Sequence, residues 1–170
     1  MLNGKTVVLG VTGCIAAYKA CEIVSSLKKK GATVIVIMTP HSTEFVQPLS
    51  FETLSGNRVI TDLFDRDFDF EVEHVALAKR ADVFVVAPAT ANTIGKIANG
   101  IADDMLTTTI MACKAPKIIC PAMNTNMYEN ENTTENIARL KKQGYKIIEP
   151  ISGRLACCLL YTSPSPRDCS

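Results

Sequence analysis

Four short runs of this chain are apolar at nearly every position. They are Lys5–Val11 (KTVVLGV), Thr33–Met38 (TVIVIM), Asp82–Ala87 (DVFVVA) and Lys117–Cys120 (KIIC). Their length and β-branched content predict strands. Strands that are apolar on both faces suit a parallel sheet covered by helices on each side. Tyr145–Ile148 (YKII) predicts a last strand. Between the first two runs, apolar residues at 16, 20, 23, 24 and 27 mark one face of a helix over Ile15–Lys30. Lys28–Lys30 complement the dipole at its C-terminal end, and Gly31 can take the left-handed cap. Similar patterns predict helices over Thr90–Ala98, Asp103–Cys113 and Thr134–Gln143. Strands alternating with helices imply an open, right-handed, doubly wound α/β sheet.

Two segments break this rhythm. Asp62–Glu73 holds six acidic residues around Arg66 and reads as a solvated connection or as a flap over a site. After Ala156 the sequence CCLLYTSPSPRDCS has no period. Residues 1–156 are therefore expected to form the domain, and residues 157–170 an irregular, non-native or truncated tail outside it.

Composition narrows the classes. Hydrophobic residues are 47% of the 170 and charged residues 21%, which excludes a disordered chain. Eighteen Lys+Arg against 17 Asp+Glu leave a net charge of +1, with no basic excess to attract nucleic acid or an anionic membrane. No apolar stretch approaches the ~20 residues of a membrane span, and no signal-peptide layout opens the chain. A cytoplasmic protein is expected. The seven cysteines (14, 21, 113, 120, 157, 158 and 169) contain no CxxC pair, and His41 and His74 are the two histidines. Neither a metal site nor a disulfide framework is indicated. Cys21, Cys113 and Cys120 lie in apolar segments and read as small core residues.

Chemistry in a parallel α/β sheet gathers outside the carboxyl ends of its strands. Those ends are Thr12-Gly13-Cys14, Thr39-Pro40-His41-Ser42, Pro88–Thr93 and Pro121–Asn124. Hydroxyls, amides and helix N-termini there suit a phosphate and the polar edge of a ring. Gly10 and Gly13 do not make the dinucleotide fingerprint, and the four turns together point to a mononucleotide-like ligand. His74 is the candidate general acid or base by its pKa class. Asn124 reads as a turn former or a ligand contact, and Met123 and Met127 as core or site residues.

Taken together, GVTGCIAAYK (10–19), His74, PATANT (88–93), PAMNTNMY (121–128) and GRLAC (153–157) resemble the flavin-containing cysteine decarboxylases. Within them, the motifs are most similar to the phosphopantothenoylcysteine decarboxylases of coenzyme A biosynthesis. In bacteria these are often fused to a phosphopantothenate–cysteine ligase. The resemblance implies a Rossmann-like, flavodoxin-like domain of three αβα layers. It also implies a homo-trimer, or a dodecamer of trimers, with FMN near a subunit interface. By motif, Gly13, Cys14, Thr39, Ser42, Phe45, Thr90, Ala91, Asn92, Thr93 and Ala122 would line the FMN. His74 would stand at the reacting centre, Asn124 would hold the substrate carboxylate, Met127 would belong to the substrate clamp, and Cys157 would return the final proton.

The activity so implied is conversion of 4'-phosphopantothenoylcysteine to 4'-phosphopantetheine and CO2. Oxidation to a thioaldehyde supplies an electron sink, decarboxylation gives an enethiolate, and the reduced flavin then returns the electrons. Family members continue past the cysteine with a glycine-rich flap, whereas here Cys157 is followed by Cys158 and Leu159; that flap is expected to be missing and turnover impaired. A peptidyl-cysteine decarboxylase, a flavin prenyltransferase and a non-catalytic flavin-binding relative are the alternatives.

Overall fold

The computed structural model describes residues 2–63, 73–152 and 159–161. The apolar runs form the strands β1 (Thr6–Val11), β2 (Thr33–Met38), β3 (Val83–Ala89) and β4 (Lys117–Pro121) of one parallel sheet. With β6 (Lys146–Ile147) at the edge, its order is β2-β1-β3-β4-β6. This is the doubly wound, flavodoxin-like order, with its switch point between β1 and β3.

Alternate residues of each strand feed two cores. On one face Val7, Leu9 and Val11 pack with Val24 of α1 (Ala20–Lys29) and Phe51 of α2 (Pro48–Ser55). On the other face Val8, Phe84, Val86 and Ile119 meet four helices. Those helices are α3 (Glu73–Arg80), α4 (Ala91–Ala98), α5 (Met105–Ala112) and α7 (Glu131–Lys142), which contribute Leu77, Ile94, Leu106 and Leu140. Each fully buried side chain of this size contributes about 1.5–3 kcal/mol. Cys113 and Cys120 are buried, and burial pushes the Cys120 thiol up to about 11, as suits an inert core residue.

The helix expected over Ile15–Lys30 is split into a 3-10 turn, Ile15–Lys19, followed by α1. Cys14 precedes the turn in an extended conformation and carries no oxygen to cap an α-helix. Gly31 does take the left-handed conformation, at φ +87°, after the last turn of α1.

Beyond Met38 the chain crosses back under the sheet along α2 and rises again. Ile60 bridges Ile37 in parallel, and the Ile60 N–H donates to the Val36 carbonyl. Residue 60 therefore points toward the carboxyl edge of the sheet, and α3 must descend from that edge to the start of β3. The Asp82 carboxylate closes the descent, accepting from the Thr6 N–H at 2.8 Å and from Lys5 at 2.9 Å.

A second, three-stranded sheet stands at the carboxyl edge. In it β8 (Leu159–Tyr161) runs antiparallel between β5 (Met123–Asn124) and β7 (Ile151–Ser152). A one-turn helix, α6 (Thr125–Tyr128), follows β5.

Candidate functional site

Thr12 organises the switch point. Its buried hydroxyl donates to the Pro88 carbonyl at 2.7 Å and accepts from the Thr90 N–H at 3.0 Å, so the ends of β1 and β3 are tied through one side chain. Thr90 then caps α4, its Oγ1 accepting from the Thr93 N–H at 3.3 Å. The N–H groups of Ala91 and Asn92, in the first turn, have no partner within the helix. They add the positive end of a dipole to the site.

The second loop lies against the first. A Cβ added to Gly13 would stand 2.7 Å from the His41 Cβ and 2.9 Å from its carbonyl carbon. Only a residue without a side chain lets the two turns approach so closely. Thr39 is buried and its N–H donates to the Val11 carbonyl, while the buried Ser42 hydroxyl donates to the Thr39 carbonyl at 2.7 Å.

These turns surround a cavity of about 430 Å³. Gly13, Thr39, Pro40, His41, Thr90, Ala91, Asn92, Thr93 and Met127 line it, with Lys96, Asp103 and Asp104 forming a charged wall. Lys96 Nζ meets both Asp103 oxygens, at 2.8 and 2.9 Å, and lies 3.7 Å from Asp104 Oδ2. The Asp103 carboxylate pushes the Lys96 pKa up, and Lys96 in turn holds Asp103 below the usual carboxylate range. Asp104 caps α5, accepting from the Thr107 N–H at 2.8 Å.

Nine residues named from the sequence line the cavity: Gly13, Thr39, Pro40, His41, Thr90, Ala91, Asn92, Thr93 and Met127. Others stand beside it. Cys14 is partly buried against Ala16 and Ala122. Burial pushes its thiol up, opposed by the backbone N–H groups of Ala16 and Ala17. Ser42 lies behind the Thr39 turn, and Phe45 is exposed at the end of the 3-10 turn Pro40–Glu44. Asn124 ends β5 and caps α6, its Oδ1 accepting from the Asn126 N–H at 2.9 Å. Its Nδ2 remains the donor this side chain can offer a ligand.

His74 lies in the first turn of α3, partly exposed, and is not among the described residues lining the cavity of its own chain. Cys157 falls outside the described residues. Lys96, Asp103 and Asp104 were not among the sequence candidates. Their signal, a lysine in the last turn of one helix and two aspartates at the start of the next, is ordinary for helix ends.

Comparison with known proteins adds a separate line of observation. The family model described as Flavoprotein matches residues 1–165. The chain is 52% identical over 157 residues to the coenzyme A biosynthesis bifunctional protein CoaBC of Bacillus subtilis, covering 92% of this chain and 39% of that protein. It thus spans well under half the length of this bifunctional relative. Against the probable phosphopantothenoylcysteine decarboxylase of Streptococcus mutans it is 46% identical over 155 residues, covering 90% of this chain and 87% of the other. Among solved structures, the FMN-dependent cysteine decarboxylase SpaF superposes with a TM-score of 0.83 at 34% identity, over 88% of this chain and 86% of that one. A PPC decarboxylase variant complexed with pantothenoylaminoethenethiol gives 0.80 at 31%, over 94% and 91%.

Proposed function

Because the chain belongs to the flavoprotein family, we propose that it binds FMN in this cavity and decarboxylates 4'-phosphopantothenoylcysteine to 4'-phosphopantetheine. The observation that carries the reading is the meeting of three strand-end turns around one cavity, with Asn124 and Met127 on the turn that follows the fourth strand.

The residues present suit the cofactor. The cavity lies in the usual size range of cofactor sites. Gly13 leaves room where any Cβ would strike His41, and α4 offers free N–H groups beside the hydroxyls of Thr90 and Thr93. Gly13, Thr39 and Thr90–Thr93 would hold the flavin, with Cys14, Ser42, Phe45 and Ala122 backing or bordering it. When bound, FMN supplies the two-electron acceptor and donor that an amido carboxylate needs before and after losing CO2.

The chain's own residues then bind and move protons. Asn124 presents Nδ2 to the substrate carboxylate, its Oδ1 already fixed by the Asn126 N–H. A neutral amide orients that carboxylate without the ion pair that would stabilise the ground state to be lost. His74 takes or orients the thiol proton, and Cys157 returns a proton to the product. Met127, nearly half exposed at the cavity, covers the substrate.

Exposed apolar residues, Ile15 and Tyr18 on the first 3-10 turn, Phe45 after the second and Leu49 at the start of α2, support a homo-trimer whose copies complete one another's sites. Cys14, Cys21, Cys113 and Cys120 are free thiols, in keeping with a cytoplasmic setting. A fused phosphopantothenate–cysteine ligase would deliver the substrate from the same polypeptide.

The purified protein is expected to be yellow, to release FMN on denaturation, and to release CO2 from phosphopantothenoylcysteine in preference to a peptide ending in cysteine. A colourless protein indifferent to FMN would overturn the reading. Lys96→Met leaves Asp103 and Asp104 uncompensated beside the cavity, so the affinity for anionic FMN is expected to fall about tenfold. Flavin fluorescence titration checks this, and an unchanged Kd removes the charged wall from cofactor binding.

A further inference from the structure

The geometry points to Tyr128, Glu149 and Lys141 as a positioning bracket that fixes the Asn124–Met127 turn for substrate, separately from flavin binding. This rests on the reading of Asn124 as the carboxylate contact.

The turn needs outside support. β5 is two residues long and α6 is a single turn, both far too short to hold their own conformation in water. Asn124 belongs to both, pairing with Leu159 as a strand residue and capping α6 with its side chain. One end of the unit is held by the small sheet, where β8 joins Met123 and Asn124 to Ile151 and Ser152.

Tyr128 holds the other end. Its ring packs, partly buried, against the larger core, and its hydroxyl donates to Glu149 Oε2. Glu149 lies between β6 and β7, on the chain that runs into the same small sheet. Its second oxygen, Oε1, accepts from Lys141 Nζ of α7 at 2.6 Å. One carboxylate therefore joins α6, α7 and the connection leading to β7. The charges agree with this arrangement. Lys141 and Tyr128 hold Glu149 below the usual carboxylate range, while burial and then Glu149 push the Tyr128 phenol up, so the phenol stays a donor.

A lone Lys141–Glu149 pair, with both side chains more than half exposed, would contribute little. The half-buried phenol on the second oxygen is what turns it into a bracket. None of the three residues is among those lining the cavity, so the effect should fall on substrate and spare the flavin.

The test uses the full chain loaded with FMN and compares Tyr128→Phe, Glu149→Gln and the double variant. The FMN Kd is expected to stay within about twofold, and KM for phosphopantothenoylcysteine to rise about tenfold with a smaller change in kcat. The double variant should be no worse than the worse single one, because both remove the same contact. Amide hydrogen exchange over residues 123–128 should quicken about tenfold in each variant while β1–β4 stay protected. Exchange is read without turnover.

A chain that binds no FMN or releases no CO2 refutes the proposed function, and the exchange pattern then decides the bracket alone. Unchanged exchange at 123–128 overturns the bracket and leaves a solvated ion pair. Loss of FMN affinity in step with KM also overturns it, since the residues would then support the whole fold.

Discussion

Replacing His74 with asparagine is expected to leave FMN bound and to cut CO2 release by about 10²–10⁴-fold, the usual worth of a positioned acid or base. The affinity should survive because His74 is not among the residues lining its own chain's cavity. The fold should survive because Leu77 and Ala78, not His74, bury α3 against the core. The side chain is partly exposed in the first turn of α3. In a trimer this surface can face the cavity of a neighbouring copy.

That arrangement has a distinctive consequence. Mixed assemblies of His74→Asn chains with chains that cannot hold flavin would regain activity, because an intact cavity can meet an intact imidazole from its neighbour. With random pairing of equal amounts, about a quarter of the sites should be restored. Steady-state CO2 release from co-refolded mixtures is the measurement. No recovery would confine His74 to its own chain, and full turnover by the single variant would remove it from the reaction.

How far the fold was legible follows from the kind of signal each element carries. β1 to β4 are apolar on both faces, so their runs stand out, and their parallel pairing follows from the helices between them. α2 went unread although its ends are marked by Pro48 at the start and Gly56, at φ +70°, after the end. It buries little besides Phe51 and Ser55, so no apolar stripe announces it. α3 begins at Glu73, where the acidic segment had been expected to end as a loop, and residues 64–72 lie outside the described part. β5, β7 and β8 are two or three residues long and have no period to find; they exist because of their partners.

The site divides in the same way. Turns after strands can be located by rule, which is why Gly13, Thr39 and Thr90–Thr93 could be named in advance. The wall of Lys96, Asp103 and Asp104 could not, because it depends on how the end of α4 meets the start of α5. Tyr128 was quoted only as the last letter of a motif, and its partner lies 21 residues away.

Gly13→Ala should show the steric side of the cofactor site most directly. The new Cβ would stand 2.7 Å from the His41 Cβ and 2.9 Å from the His41 carbonyl carbon, closer than such atoms come. Neither obstacle is the end of a flexible side chain, so no rotamer change relieves the contact. The Thr39–Ser42 turn must move, and with it Thr39 and His41, which line the cavity. Overpacking of this kind costs about 1–3 kcal/mol. Borne by the flavin complex, that weakens FMN binding about ten- to hundredfold. Gly95→Ala in α4 is the matched control, because its Cβ would meet only Asn136 Nδ2, at an ordinary 3.6 Å. Replacing a helical glycine there is expected to raise stability by about 0.5–1 kcal/mol and to leave FMN binding unchanged. Thermal unfolding of the apo chains and FMN titration together separate the two sites. If Gly13→Ala bound FMN as tightly as the parent chain, the close approach of the first two turns would not be what shapes the pocket for flavin.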